Sequence, residues 1–372
     1  MDESMNDDVS YDSVNITIDD ESTTEVLILP DSNEESEKVQ STPAAQINGF
    51  GTQEPLIGGG SPIFRVPAHV RGVEMGAYTP KIVRIGPFYQ NDQPNLRAFE
   101  SQKKRFLARL QTRMNSKVLE NAMKEMEEKT RKWYVEDFEG MKSDDFVQMM
   151  LLDGCFIVEL LRLYTMKTSQ GNDQEALKEP ILKTRWMVPN ICRDLLLLEN
   201  QIPMFVLQKI YDITAIFDNE ATDPLNKLAL RFFQPLRPGK DKLEEHVLNT
   251  IEKQKHPHLL ALFHSTFHNS QGNPNASVQT PKCSCLKSDN LSKYEKIPGK
   301  GWVHNAKTLT YAGVQFERKS GNFLDIEYKN KKLKIPTLFI DEGTSTLLRK
   351  LIAYEQSDGS ATPYFSSCCF LG

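Results

Sequence analysis

Four consecutive leucines, Leu195 to Leu198, stand within the segment PNICRDLLLLENQIPMFVL at residues 189–207. If this run is helical it has no polar face to turn toward water, so other elements must cover it on most sides. Pro203 lacks an amide donor and would leave the carbonyl of Glu199 without a helical partner, which forces a kink or a restart. The sequence therefore predicts a central core helix that breaks near Pro203.

Six polar residues in the most apolar parts of the chain are candidates for structural clasps or for a functional site. Each buried polar group without a partner costs about 1–3 kcal/mol, so each needs a partner. Burial also raises the pKa of a carboxyl group, as acid–base catalysis often requires. The six residues are Asp153, Glu159, Asp194, Glu199, Asn200 and Gln201.

The four carboxylates among these candidates do not converge within one helix. Asp153 and Glu159 are six residues apart, and Asp194 and Glu199 are five apart, which turns the side chains by about 120° and 140°. A catalytic site would need pairing between helices, for example Glu159 facing Asp194. The alternative interpretation is a set of buried ion pairs or caps with arginines such as Arg162.

Four stretches, in order, resemble the motifs of a plant protein family known as domain of unknown function 247. They are IFRVPAHVR with AYTPKIVRIGPFY (63–89), LLDGCFIVELL (151–161), DLLLLENQIPMFVL (194–207) and IPTLFIDEGTSTLLRKLIAYEQ (335–356). The resemblance covers about residues 62–356, and the family has no established reaction. It identifies a family without identifying a chemistry.

Hydrophobic spacing favours a mainly α fold, with a single helical domain at about residues 62–356. Prolines and glycines recur from Pro62 to Pro94, which favours an extended N-terminal segment without long helices. Short alternating runs after Leu309 predict a small antiparallel β-sheet near the C-terminus. The predicted helices lie at 95–114, 117–139, 143–164, 218 or 223 to 233, 257–267 and 344–354, and the strands at 314–318, 323–328 and 332–336.

The first of these helices is amphipathic by its spacing. Its apolar stripe consists of Leu96, Phe99, Phe106, Leu107, Leu110 and Met114. Its cations Lys103, Lys104, Arg105 and Arg109 are expected largely outside that stripe.

Charge separates the N-terminal part from the rest of the chain. Residues 1–60 contain 14 acidic residues and one lysine, a net charge of −13. Because the whole chain carries −5, the remainder carries about +8. Residues 1–61 are predicted to be a disordered acidic tail, because they are too polar to offset the entropy of ordering. Residues 270–300 are interpreted as a flexible insertion and residues 357–372 as an irregular, divergent C-terminus.

Two further groups of residues are candidates for ligand contacts. Arg65, Arg71 and Arg84 make the extended segment basic, so they are candidates for an anion contact, with solvated surface as the alternative. His264, His268, Cys283 and Cys285 have donor types that could bind zinc. The competing interpretation is solvent-facing histidines and unpaired thiols, and no metal or other cofactor is predicted.

Targeting and membrane signals are absent from the sequence as written. No N-terminal segment combines basic residues with an apolar core, which predicts a cytoplasmic protein with reduced cysteines. No apolar stretch approaches the roughly 20 residues of a spanning helix. Members of the resembled family usually continue to a hydrophobic, membrane-anchoring segment, so the chain is interpreted as a truncated or alternatively spliced member.

The leading functional hypothesis is a non-enzymatic plant recognition protein that binds a protein partner and no nucleic acid. The resemblance implies one specific form by analogy, since some grass members look like pollen self-incompatibility determinants. The alternatives are an enzyme with a buried carboxylate or zinc site, and a membrane-associated structural protein without its anchor in this form.

Overall fold

A computed structural model of the chain describes residues 63–90, 94–170, 178–215, 223–238, 243, 245–251, 253–267, 306–319, 326–338, 340–358, 361 and 365–366. These residues belong to one compact unit, Pro55–Gly372. The proposed segments 1–61 and 270–300 lie outside the described residues, as does most of 357–372. The expected domain limits therefore stay a prediction.

The described chain is mainly helical, as the sequence predicts. Its first helices are α1 (Ala68–Arg71), α2 (Pro94–Ala98), α3 (Glu100–Gln111), α4 (Ser116–Arg131), α5 (Ser143–Gln170), α6 (Pro180–Lys183) and α7 (Met187–Asp194). They are followed by α8 (Met204–Ala215), α9 (Leu225–Phe233), α10 (Glu245–Ile251), α11 (Leu259–Ser265), α12 (Ala306–Tyr311) and α13 (Thr344–Ser357). Short 3-10 helices occupy Met75–Ala77 and Gln234–Leu236.

The central helix of the fold is α5, which packs against α3, α4, α8 and α9. It begins at the predicted Ser143, with Asp144 and Asp145 in its first turn, where carboxylates are favoured by the helix dipole. Phe156 lies at its middle, fully buried, with the rings of Phe99 and Phe106 packed edge-on against it. Burial on several faces explains why the apolar pattern of this helix is nearly continuous.

The prediction of a helix through the leucine run is wrong. Helix α7 ends at Asp194, and Leu195–Leu198 form a fully buried turn before α8 begins at Met204. The expected restart after Pro203 is confirmed. The leucines are in the core as predicted, but they reach it from a tight turn instead of a helix.

Side-chain hydrogen bonds explain why the turn replaces the helix. In a helix the carbonyls of Leu195 and Leu197 would accept from backbone N–H groups four residues later. Here both accept from the Gln201 amide nitrogen, at 2.7 Å each, and the amide oxygen of Gln201 accepts from the N–H of Leu260 at 3.3 Å. One buried side chain thus satisfies three main-chain groups.

The other predicted helices are present with shifted ends. The predicted helix at 95–114 is divided at Phe99 into α2 and α3, and the predicted helix at 117–139 ends at Arg131. The start of α4 is fixed by Asn115, whose side chain accepts a hydrogen bond from the N–H of Lys117 at 3.0 Å. One side-chain expectation fails, because Lys103 is fully buried and lies inside the apolar stripe of α3.

The small sheet near the C-terminus is present, with mixed strand directions. Strands β1 (Gln315–Lys319), β2 (Glu327–Lys329) and β3 (Lys332–Pro336) are arranged in the order β1-β3-β2. The β2–β3 hairpin is antiparallel as expected, whereas β1 pairs with β3 in parallel. Asn330 and Lys331, both with positive φ, close the hairpin, and two such residues match the twist of the paired strands.

Removing the hydrogen-bonding groups of Gln201 tests the role assigned to the turn. We expect Gln201→Leu to lower the free energy of unfolding by about 2 kcal/mol or more, since the carbonyl of Leu195 and the N–H of Leu260 lose their partner and the carbonyl of Leu197 keeps only the N–H of Asn200. Urea unfolding followed by circular dichroism measures the change. The control Gln208→Leu makes the same substitution on the outer face of α8, and we expect a change within about 0.5 kcal/mol. Equal losses would contradict this account.

Candidate functional site

Four of the six polar candidates converge on one irregular part of the chain, residues 63–90, which we call the leading segment. The segment begins with a bridge between Ile63 and Tyr134 and then runs over the turn between α7 and α8. The four side chains reach it from the helical body. We call these four residues the clasp: Asp153, Asp194, Glu199 and Asn200.

Asp194, the last residue of α7, binds three successive backbone N–H groups of the leading segment. Its carboxylate accepts from Lys81 at 3.0 Å, from Ile82 at 2.7 Å and from Val83 at 3.0 Å. Burial raises the pKa of the Asp194 carboxyl, and these three N–H groups oppose the rise by stabilising the ionised form. The carboxylate oxygens of Asp194 are therefore bound by the main chain of the leading segment.

Glu199 holds the start and the end of the leading segment together. Its carboxylate accepts from the N–H of Val66 at 2.7 Å and from the hydroxyl of Tyr89 at 2.9 Å, and it forms an ion pair with Arg71. Arg65 approaches the same carboxylate at 3.7 Å. Burial and the nearby Glu199 both raise the pKa of Tyr89, so this phenol stays a hydrogen-bond donor.

The side-chain amide of Asn200 both accepts from and donates to main-chain groups. Its oxygen accepts from the N–H of Ile85 at 2.6 Å. Its nitrogen donates to the carbonyls of Val83 at 3.0 Å and Asp194 at 2.9 Å. The side chain therefore joins the leading segment to the end of α7 much as a neighbouring strand would.

Asp153 on α5 is the carboxylate of the clasp that pairs with a buried lysine. It accepts from the N–H of Gly86 at 2.9 Å and from the Lys103 ammonium at 2.6 Å, and both side chains are almost fully buried. Lys103 also donates to the carbonyl of Arg84 at 2.6 Å and to Glu100 at 2.9 Å. Burial raises the pKa of Asp153, and the ammonium of Lys103 opposes that rise.

Glu159, the sixth candidate, lies apart from the clasp and faces arginines instead of Asp194, the example of a partner that a catalytic site would need. Its carboxylate faces Arg109 at 2.9 Å, Arg113 at 3.6 Å and Arg162 at 3.9 Å. This arrangement agrees with the alternative interpretation, a buried ion pair that includes Arg162. The structure thus divides the six candidates into four residues on the leading segment, Gln201 within the turn and Glu159 in an arginine cluster.

The three arginines proposed for an anion contact face carboxylates of the chain itself. Arg65 and Arg71 pair with Glu136 and Glu199, and Arg84 contacts Glu100 at 3.0 Å. These contacts attach both ends of the leading segment to the body. Their contact with an external anion stays a prediction.

The structure describes one of the four zinc candidates, His264. His264 is buried, and its Nε2 lies 2.8 Å from a carboxylate oxygen of Glu355, so the expectation of a solvent-facing histidine is wrong for this residue. His268, Cys283 and Cys285 lie outside the described residues. Within the described part of the chain, no group of three or more His, Cys, Asp or Glu side chains is placed to hold a metal.

Sequence reasoning missed several of the charged residues that the fold buries. Among them, Lys103, Lys350 and Glu355 are each at most 7 % exposed. Spacing offered a signal for both lysines, since Lys103 lies four residues after Phe99 and three before Phe106, and Lys350 lies three after Leu347 and four before Tyr354. The partners of Lys350 and Glu355, the carbonyl of Arg193 and the side chain of His264, are distant in sequence, so spacing could not identify them.

A cleft of about 910 Å³ opens between α3 and α5 on the side of Asp153. Its lining mixes aromatic side chains, such as Phe88 and Phe138, with charged ones, such as Glu100 and Lys104. Clefts of this size can hold small ligands. Both oxygens of Asp153 already accept hydrogen bonds from Lys103 and Gly86, so this carboxylate is committed to the clasp.

The fold and the clasp define a class of helical protein in which buried carboxylates hold an irregular leading segment by its main chain. Residues 63–371 match the profile of the DUF247 family, described as plant protein of unknown function. The chain belongs to this family, as its motifs indicated.

Two curated relatives come from Arabidopsis thaliana. The UPF0481 protein At3g47200 is 32 % identical over 311 residues, which cover 79 % of this chain and 60 % of the relative. The putative UPF0481 protein At3g02645 is 27 % identical over 201 residues, which cover 53 % and 36 % respectively. The chain therefore spans less than two thirds of either relative's length. No solved structure gives a significant match.

Among the helices in the described part of the chain, none combines the length and apolar character that crossing a bilayer requires. Cys155 and Cys192 are buried free thiols, and burial raises the pKa of both. Protonated buried thiols of this kind are poor nucleophiles.

A substitution at Gly86 tests how closely the leading segment approaches the turn between α7 and α8. It has a φ of +73°, and a Cβ there would lie 2.7 Å from the backbone oxygen of Gln201. We expect Gly86→Ala to cost about 3 kcal/mol or more, because a strained φ and a backbone clash add. The matched control Gly313→Ala has a φ of +82° with open space around it, so only the φ cost of about 1–2 kcal/mol is expected. Equal losses in urea unfolding would show that the close approach contributes nothing.

Lys350 makes stability depend on pH in the alkaline range. Burial lowers its pKa from 10.5 to about 8, against the attraction of Asp194. Between these values the unfolded chain binds a proton that the folded chain has released, so the free energy of unfolding rises with pH. We expect the wild type to gain on the order of 1–3 kcal/mol relative to Lys350→Met between pH 8 and 10.5. Parallel pH profiles in urea unfolding would contradict this.

Proposed function

We propose that this protein is a non-enzymatic recognition protein that binds a protein partner through exposed surfaces of the helical domain and its C-terminal sheet. One observation carries the proposal: the carboxylates best placed by burial for acid–base work hold main-chain N–H groups of the leading segment. Protonation of such a carboxylate would weaken the bonds that position the segment. The clasp thus serves folding, and the surface is left for function.

The exposed apolar residues support a binding role for the surface. Tyr311, Ile340, Phe316 and Tyr328 lie exposed in or beside the small C-terminal sheet. Single exposed apolar residues are ordinary, whereas several close together mark an interaction surface. Aromatic side chains are also enriched where interfaces derive most of their binding energy.

Three finer statements are part of the same proposal. The partner is a protein and not a nucleic acid, the location is cytoplasmic, and one specific form is the pollen self-incompatibility role that the family resemblance suggests. Membrane association belongs to the longer relatives in this proposal. Expression of the full chain as a fluorescent fusion in plant cells tests the location, and a fusion that stays at a membrane would exclude the cytoplasmic part.

Affinity capture from plant floral tissue tests the main proposal. We expect the full chain to capture a defined protein with saturable binding, and the purified pair to re-form in solution. Asp153→Asn is expected to weaken stability without changing the affinity of folded protein for this partner, because the clasp is internal. Absence of any saturable partner, or a turnover activity abolished by Asp153→Asn in folded protein, would overturn the proposal.

Metal analysis of the purified full chain distinguishes the recognition proposal from the alternative of a zinc site. The recognition proposal expects no stoichiometric zinc. One zinc per chain that is lost in the Cys283→Ser, Cys285→Ser double variant would instead support a metal site. This pair is preferable to His264→Ala, because His264 contacts Glu355 in the core and its loss would disturb folding.

A further inference from the structure

The small C-terminal sheet exposes its apolar face. Register places Phe316, Leu333 and Tyr328 side by side on one face, with Arg318 and Ile335 next to them. Phe316 is 40 % exposed, Tyr328 39 % and Ile335 37 %. A sheet normally covers such a face against another layer, and among the described helices none packs extensively against this one.

The opposite face carries charged side chains that are about as exposed as the apolar ones. Glu317, Lys319, Glu327 and Lys334 are half-buried there, and Lys329 and Lys332 are exposed. Lys332 pairs with Glu317 at 2.5 Å, and Lys319 approaches Glu327 at 3.7 Å. The apolar face is therefore as open as the charged face, whereas an antiparallel sheet usually packs its apolar face on a core.

The sheet and the helix before it are strongly basic. The described residues 306–319 and 326–338 contain seven lysines and arginines and two glutamates. Both glutamates already lie beside lysines of the sheet. The excess positive charge is complementary to an acidic partner.

Strand β1 also has an open edge. It pairs with β3 on one side only, and the N–H of Gln315 donates to the carbonyl of Lys331 across that pairing at 2.8 Å. Backbone groups alternate in direction along a strand, so the N–H groups of Phe316 and Arg318 point to the outer side. No described residue pairs with that side, and an open edge of this kind can accept an added strand.

We propose that β1 binds an acidic strand-forming segment of a partner protein, which adds to the sheet at this edge. Alternate apolar side chains of that segment cover Phe316 and the neighbouring exposed face, and its acidic side chains meet the surrounding lysines. The inference rests on the proposed recognition function and specifies the chemistry of the partner. Backbone pairing supplies affinity, and the alternation of acidic and apolar residues supplies specificity.

Binding of model peptides to the full chain tests this directly by fluorescence anisotropy. The probe is a ten-residue peptide of alternating valine and glutamate. We expect it to bind at least tenfold more tightly than peptides of alternating valine and lysine, or of the same composition in two blocks. Equal binding of the three peptides would overturn the proposal, as would binding only to vesicles containing phosphatidylserine or to single-stranded DNA.

Position 318 offers a matched pair of variants. Arg318→Pro removes the outward N–H and leaves the bonds from β1 to β3, because proline is tolerated on a free strand edge. Arg318→Gln removes only the charge. We expect the proline variant to lose about tenfold in peptide affinity and the glutamine variant less than twofold, because Arg318 lies on the apolar face, away from the acidic side chains of the peptide. Equal losses would contradict strand addition.

Residue-level hydrogen exchange of the wild type gives a second measurement that needs no variant. On peptide addition the N–H groups of Phe316 and Arg318 should become protected, while that of Glu317, which faces β3, should change little. Uniform protection or none would refute the edge-strand mode. If a natural partner binds Arg318→Pro and Arg318→Gln equally, the proposal of strand addition at β1 is wrong and the proposed recognition function is unaffected. If no partner is found, the proposed recognition function is itself wrong.

Discussion

The fold depends on buried carboxylates that bind backbone N–H groups of an irregular segment. The leading segment, residues 63–90, has little regular secondary structure with which to satisfy its own main chain. Asp194, Glu199 and Asp153 accept from it at successive points, and Asn200 adds an amide that both accepts and donates. Charged acceptors give stronger hydrogen bonds than neutral ones, which suits a segment that must be held without a sheet.

This arrangement explains the shape of the turn that supplies the clasp. A helix continued through the leucines would place Glu199, Asn200 and Gln201 on different sides of its axis. The turn directs these consecutive residues at separate targets: Glu199 and Asn200 at the leading segment, and Gln201 at the carbonyls of the turn and at α11. The leucines fill the core beneath them, so one short stretch supplies both packing and polar attachment.

The buried carboxylates of the clasp are committed to the main chain of the leading segment. The C-terminal sheet differs from the helical body in that its apolar face is open. An apolar face of this kind gains stability when another chain covers it. This contrast between a committed interior and an open sheet is the structural basis of the proposed recognition role.

The sequence by itself determined the family, the mainly α class, most helix positions, and the burial of the leucine run and its polar neighbours. These features follow from local spacing and from residue types, such as the restart after Pro203 and the acidic first turn at Ser143. Only the tertiary structure decided that the leucines form a turn, that Lys103 is buried and that β1 runs parallel to β3. Those outcomes depend on partners distant in the chain, such as Asp153 for Lys103, and local periodicity carries no information about them.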